Sequence, residues 1–411
     1  VKNSRELGFE VLDQVSTKHS VIVIGLSSHE AYGNHLAFER AGITEATPDP
    51  VGGSLVRDAS GHLTGAGLEV PGAGLVLKGD KSKVDYAKLA KESLQIYAKA
   101  GFTTITVTGL AVPLPDPMAH YENIRNAALA KDAPVRVQGY VVSQLMDHIP
   151  QLMEGNNDRF RVLGVKIWID GSIQGHTALL EHNYADKNDI GKGNYSQEAY
   201  NKLIARAHNM GLQIASHANG DRAVRMTFEA IEAAQRAHHR DDARHRIEHF
   251  TVTNRDALKR AKIAGITPTF LNQHIYEWGH VFTQRLGSER VQTIDPAGSA
   301  ERLGMNFSFH DDAPTGLPEP LKMIQIAVTR EMRHGGILNA DERIPVDRAI
   351  RAVTLDTAWQ SFTEQTRGSL EPGKYADLVI LSGNPRKSDA GSIMNIVVLE
   401  TWLEGKRVYI K

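Results

Sequence analysis

The runs Val165-Lys166-Ile167-Trp168-Ile169-Asp170, Leu212-Gln213-Ile214-Ala215-Ser216-His217 and Arg246-Ile247-Glu248-His249 decide how this chain is read. Each is a short apolar, β-branched segment that stops on a residue able to bind a cation or carry a proton. A helix-like stretch from Gln197 to Asn209 separates the first two. Outward from them the same alternation recurs. Strands are expected at 101–107, after a helical stretch from Tyr86 to Ala100, and at 134–142, 265–271 and 305–310. Seven strands alternating with helices predict an α/β fold, a (β/α)8 TIM-type barrel with its first strand missing, whose active site lies at the carboxyl ends of the strands. Asp170, His217, His249, His274, Asp311 and Asp312 all fall at or just past such ends. Polar residues gather wherever strands give way to loops, so any one of them carries little weight and the set carries more.

The flanks read differently. Residues 1–80 are rich in turn signals, as in Pro48-Asp49-Pro50-Val51-Gly52-Gly53-Ser54, and predict hairpins or loops with a helix near Glu30 to Ala41. This is an excursion between the first two barrel strands, not a further repeat. The barrel occupies 81–364, and 365–411 supplies strands at 376–381, 396–403 and 407–410 of a small β layer.

Composition removes several function classes. Lys+Arg 47 against Asp+Glu 48 leaves a formal net charge of −1, which gives no electrostatic footprint for nucleic acid or an anionic membrane surface. No run approaches the roughly 18–20 apolar residues of a membrane-spanning helix, and Val1-Lys2-Asn3-Ser4 lacks the apolar core of a signal peptide. A cytoplasmic protein is expected, with a small-molecule substrate, no nucleic-acid or membrane partner, and a homo-oligomer as an open option. There is no cysteine, so any metal must be held by nitrogen and oxygen.

His217 and His249 end neighbouring strands, where two imidazoles make half of a divalent-cation site; a lone histidine there is more often a core residue satisfied by hydrogen bonds. Lys166 is the odd residue of an apolar strand. Facing inward, its amine must be paired or neutral, and a neutral amine reacts with carbon dioxide to give a carbamate, an anionic oxygen ligand; facing outward, its stem covers the sheet. Asp312 follows the last strand, where a carboxylate binds metal and takes a proton from metal-bound water, or caps the turn before Pro314. His29 in the excursion and His274 after the seventh strand are candidates for substrate contact by position alone.

With those residues assembled, the chain resembles the amidohydrolase superfamily of metal-dependent hydrolases, in the branch that includes N-substituted formamide deformylase. The resemblance runs over nearly the whole chain. It rests on His29-Glu30-Ala31-Tyr32-Gly33-Asn34, on Val165 to Ser172, on His217 with Gly220-Asp221-Arg222-Ala223, on Arg246 to His249, on Asp312-Ala313-Pro314, and on Gly368 to Leu378. It implies that Lys166 is the carbamate-forming bridge (a carboxylysine), that His217 and His249 are metal ligands, and that Asp312 both binds metal and shuttles the proton. The cofactor implied is one or two divalent ions, zinc above all. The reaction implied is hydrolysis of an amide-like C–N bond by metal-bound hydroxide. Asp311 stands where relatives often carry serine. The family's His-x-His pair, which ends its first barrel strand, has no counterpart before residue 80, so an N-terminal segment is expected to be missing. That departure leaves a second reading open, a catalytically inactive truncated barrel serving as a scaffold or oligomer subunit.

Overall fold

Alternation along the central strands sets the layers. Val165, Ile167 and Ile169 join Ile214, Ile247, Phe270 and Phe307 in the main apolar cluster, which also holds Leu94, Ile204, Phe228 and Leu258 from the surrounding helices. The intervening Lys166, Gln213, His217, Arg246 and Glu248 are equally buried and occupy the opposite, concave face. A sheet with both faces covered is what helical crossovers between parallel strands produce.

The computed structural model describes residues 7–25, 29–50, 52–80, 84–112 and 116–411; Val1 to Ser4, and Val51 within its turn stretch, lie outside the described residues. The first sheet is antiparallel and four-stranded, with β1 (Ile22–Ile24), β2 (Glu30–Gly33), β3 (Ser54–Arg57) and β4 (Leu63–Leu68) in the order β1-β2-β4-β3. The second holds β5 (Thr104–Leu110), β6 (Arg136–Val142), β7 (Phe160–Trp168), β8 (Gln213–Ala218), β9 (Arg246–His249), β10 (Thr267–Phe270) and β11 (Ser308–Phe309). These seven lie in sequence order, every neighbouring pair parallel. The third sheet is β12 (Leu378–Leu381), β13 (Val398–Leu403) and β14 (Lys406–Ile410). Among the described residues β5 and β11 are the two edges of the seven-stranded sheet, which curls into a half-barrel. No described helix is long and apolar enough to cross a membrane.

Two local readings of the sequence differ from the structure. The helix expected from Glu30 to Ala41 is a strand followed by a short helix, His35–Ala41, because the Asn34 side chain accepts the Ala37 amide at 2.9 Å and caps a helix that starts there. β7 starts at Phe160, five residues before the expected run, and continues through Gly164. A Cβ at Gly164 would lie 1.9 Å from the Gln213 carbonyl oxygen, so only glycine lets β8 approach.

The amino-terminal ends of the strands are closed by a polar plug. Gln360 donates from Nε2 to Thr267 Oγ1 at 2.7 Å and to the Pro268 carbonyl at 2.9 Å, and its Oε1 accepts from Ser308 Oγ at 2.5 Å. Gln213 donates to the Gln360 carbonyl at 2.9 Å and accepts from Tyr140 at 2.8 Å. The third sheet docks nearby, where Thr401 donates to the Ala98 carbonyl at 2.7 Å and buried Arg136 pairs with Glu404 at 2.7 Å and with Asp377. One end of the half-barrel is thus filled, and the opposite rim is left for chemistry.

Candidate metal centre

The register of the parallel strands builds this rim. Ala218 of β8 lies opposite His249 of β9, and His249 lies opposite Phe270 of β10, which pairs in turn with Phe309 of β11. The side chains at and after these ends converge: the ring centroids of His217 and His249 are 4.4 Å apart, and those of His249 and His310 are 4.8 Å apart. One ligand atom each from His249, His310 and Asp312 lie within 4.8 Å of one another. His249 and Asp312 sit in the left-handed backbone region, with φ of 70° and 54°, as does Phe250 with φ of 51°. Non-glycine residues held there cost about 1–3 kcal/mol each, and such strain concentrates at functional sites.

Burial governs the protonation of the cluster. It pushes His217, His249 and His310 well below the ordinary imidazole range, with the Lys166 ammonium acting in the same direction on each. All three are neutral imidazoles, the form that binds metal. His217 Nε2 lies 3.0 Å from the Gly171 carbonyl and 3.1 Å from Asn219 Nδ2, with Asp170 Oδ1 at 3.5 Å. Asp170 accepts from the backbone amides of Leu179, Asn219 and Gly220, yet burial still raises it to about 7.

Lys166 is 2% exposed on the same concave face, its Nζ 5.3 Å from the centre of the Trp168 ring. Burial lowers its pKa to about 8 against the opposing pull of Glu248 and Asp312. Glu248 is itself held by Arg246, with Nε to Oε1 at 2.8 Å and Nη2 to Oε2 at 3.1 Å. Burial raises Asp312 above the usual carboxylate range while Lys166 and His29 pull it down. Asp311 is raised to about 6, also by burial, and accepts from the Ala313 amide at 3.1 Å.

The two expected substrate contacts come from different elements. His29 belongs to the excursion, and its Nδ1 pairs with Glu69 Oε2 at 2.5 Å while its ring lies 5.5 Å from that of His217. A cavity of about 1150 Å³ opens beyond it, lined by His29, Glu69, Tyr32, Ser172, Thr177 and Trp278. His274 begins a π-helical turn after β10, its ring 6.0 Å from His249. Sequence reasoning did not single out His310, which the structure brings into the cluster with His249 and Asp312; its signal was its place at the end of a strand, two residues before Asp312.

The donor set fits a divalent cation. Among the described residues, His249 Nδ1 and His310 Nε2 are buried without a hydrogen-bond partner, next to a carboxylate and further neutral imidazoles, with no thiol in the chain. Buried polar atoms are seldom left so, and nitrogen with oxygen suits zinc-like ions.

Comparison with known proteins finds relatives of this chain. N-substituted formamide deformylase of Arthrobacter pascens is 28% identical over 96% of this chain and 74% of its own length. An uncharacterised metal-dependent hydrolase of Pyrococcus horikoshii has the same fold, with a TM-score of 0.74 and 22% identity over 93% of this chain and 75% of that one. An adenosine deaminase from Xanthomonas campestris, with bound zinc, matches with a TM-score of 0.51 and 13% identity over 79% of this chain and 70% of that one. Residues 10–409 match the amidohydrolase family, and with strand-end histidines, an inward lysine and a terminal aspartate at one rim, the chain belongs to that family of hydrolases.

Proposed function

We propose that this chain is a metal-dependent hydrolase that cleaves an amide-like C–N bond, its cation held by Lys166 or the Lys166 carbamate, His217, His249 and Asp312, with His310 as a further nitrogen donor. The observation that carries the reading is the cluster of His249, His310 and Asp312 beside His217, with two buried imidazole nitrogens lacking partners among the described residues. When bound, a divalent ion supplies a Lewis acid for the scissile carbonyl and lowers the pKa of water. Zinc is the ion this donor set favours, in one or two copies.

The residues themselves supply the remaining steps. Asp312 takes the proton released by the attacking water onto a carboxylate oxygen and hands it to the departing amine nitrogen, so the C–N bond breaks to a neutral amine and a carboxylic acid, which loses its remaining proton to solvent as a carboxylate. Lys166, lowered to about 8, has a neutral fraction at physiological pH. That amine adds carbon dioxide and releases one proton, becoming an anion in place of a buried cation. The His29–Glu69 pair holds the substrate at the mouth of the cavity, and His274 contacts it from the opposite side. Residues 81–364 form the catalytic unit, with 1–80 shaping its entrance. Membership of a hydrolase family disfavours the scaffold reading.

The test is turnover of a panel of N-acyl and N-formyl amides by the zinc-loaded, bicarbonate-treated protein. The expected result is hydrolysis that a chelator abolishes and zinc restores; activity that survives chelation contradicts the reading.

A further inference from the structure

Asp295 is 1% exposed, and among the described residues neither of its carboxylate oxygens has a hydrogen-bond partner. A buried carboxylate left in that state is costly and calls for a reason. Its backbone is tightly fixed. The Asp295 amide donates to the Thr251 carbonyl at 3.1 Å, and its own carbonyl accepts from Arg330 Nη1 at 3.0 Å. Arg330, also 1% exposed, donates besides to the Ile294 and Leu338 carbonyls at 3.0 and 2.6 Å. Asp295 adopts φ of 44°, a left-handed conformation this frame imposes.

The carboxylate faces His274. Asp295 Oδ2 lies 3.9 Å from His274 Nδ1, and Thr251 Oγ1 lies 3.4 Å from the same nitrogen. Thr251 has one hydroxyl hydrogen, which it donates to Asn219 Oδ1 at 2.7 Å. The Asn219 amide orientation is fixed in turn, because its Nδ2 donates to the Gly171 carbonyl at 2.8 Å. Thr251 therefore offers His274 only a lone pair, and Asp295 offers another in its ionised form, which burial disfavours by raising its pKa well above the ordinary carboxylate range and the Arg330 charge favours. With an acceptor facing Nδ1, the hydrogen of the neutral ring belongs on Nδ1.

We propose that Asp295 is a positioning residue of the site, which with Thr251 holds His274 in the tautomer carrying its hydrogen on Nδ1, so that Nε2 presents a lone pair to an N–H or O–H group of the substrate. The substrate contact rests on the hydrolase reading, and the tautomer on the geometry alone. At 3.9 Å the pair is longer than a hydrogen bond, as contacts within a substrate-free site often are. A substrate group that donates to Nε2 is selected over its N- or O-methylated analogue, because the analogue leaves the lone pair buried and unmatched.

The experiment uses the full chain with ¹⁵N-labelled histidine, the His274 signals being assigned by their loss in His274→Gln. The expected result is Nδ1–H and an unprotonated Nε2 in the wild type. In Asp295→Asn and Thr251→Val the tautomers mix, and kcat falls by about tenfold or more with KM and metal content unchanged. An Nε2–H signal for His274 in the wild type overturns the proposal, and so does wild-type kcat in Asp295→Asn. If a variant fails to fold, the wild-type spectrum still decides. A protein with the expected tautomer but no metal-dependent turnover would sink the hydrolase reading and leave the tautomer assignment standing.

Discussion

Two sets of buried polar groups, one at each end of the parallel sheet, are treated in opposite ways. At the amino-terminal end, Gln213 and Gln360 use their donors and acceptors within the plug. Close by, the Ile214 amide donates to His245 Nδ1 at 3.1 Å, so the His245 hydrogen sits on Nε2, facing His208 Nδ1 at 2.8 Å. His208 then donates from Nε2 to the His238 carbonyl at 2.7 Å. At the carboxyl rim, among the described residues, His249 Nδ1, His310 Nε2 and both Asp295 oxygens are buried with no such partner. Satisfied polar burial contributes stability and fixes one packing; unsatisfied polar burial is tolerated where a ligand or substrate completes it.

That contrast predicts opposite phenotypes at the two ends. The largest effect is expected at the rim, where Asp312→Asn should lower kcat by about 10²–10⁴-fold, as removal of a general acid–base does. Its melting temperature should hold or rise, because a buried charge is lost; a variant that loses activity only by unfolding would break the comparison. At the plug, Gln360→Ala takes the side-chain partner from Thr267, Ser308 and the Pro268 carbonyl, and should destabilise the fold by about 2–4 kcal/mol in urea titrations, with metal content per folded molecule unchanged.

A smaller effect follows from His245, which burial pushes down from an ordinary 6.5 to about 3. Between those values the unfolded chain binds a proton that the folded chain refuses, so stability falls as the pH drops below 6.5. The slope is about 1.4 kcal/mol per pH unit, or about 2 kcal/mol between pH 6.5 and 5. Denaturation at the two pH values should show a slope at least this steep, because the buried His217, His249 and His310 act in the same sense, and His245→Gln should lessen it by the His245 share; a slope equal to that of the wild type would remove that share.

The sequence made the central strands and their polar ends visible, because a β-branched run that stops on histidine keeps its meaning in any tertiary setting. β9 spans Arg246–His249 and one helix spans Gln197–Asn209, as the pattern alone predicts. Glu30 to Gly33 escaped it because their strand exists only through long-range pairing with Ile22–Ile24 and Leu68–Ala66. The start of β7 escaped because Gly164 interrupts the run for a reason that lies on β8. Lys166, His217, His249 and Asp312 were legible by position, and the structure brings their side chains into one electrostatic neighbourhood, with Lys166 felt by His217, His249 and Asp312. His310 looked like a strand residue, and Asp295, in Ile294-Asp295-Pro296, carries no periodic signal at all. Their significance lies in which atoms go without partners, a property of packing that no linear pattern records.

Metal binding at the carboxyl rim by Lys166, His217, His249 and Asp312 is the claim on which the proposed chemistry depends. The measurement is elemental analysis of the purified full chain after loading with zinc and bicarbonate and removal of free metal, alongside His217→Ala and His249→Ala. At least one tightly held equivalent in the wild type, lost in both variants, is the predicted result. A wild type that retains no metal, or variants that hold as much as it does, would contradict the claim that this rim is a metal centre.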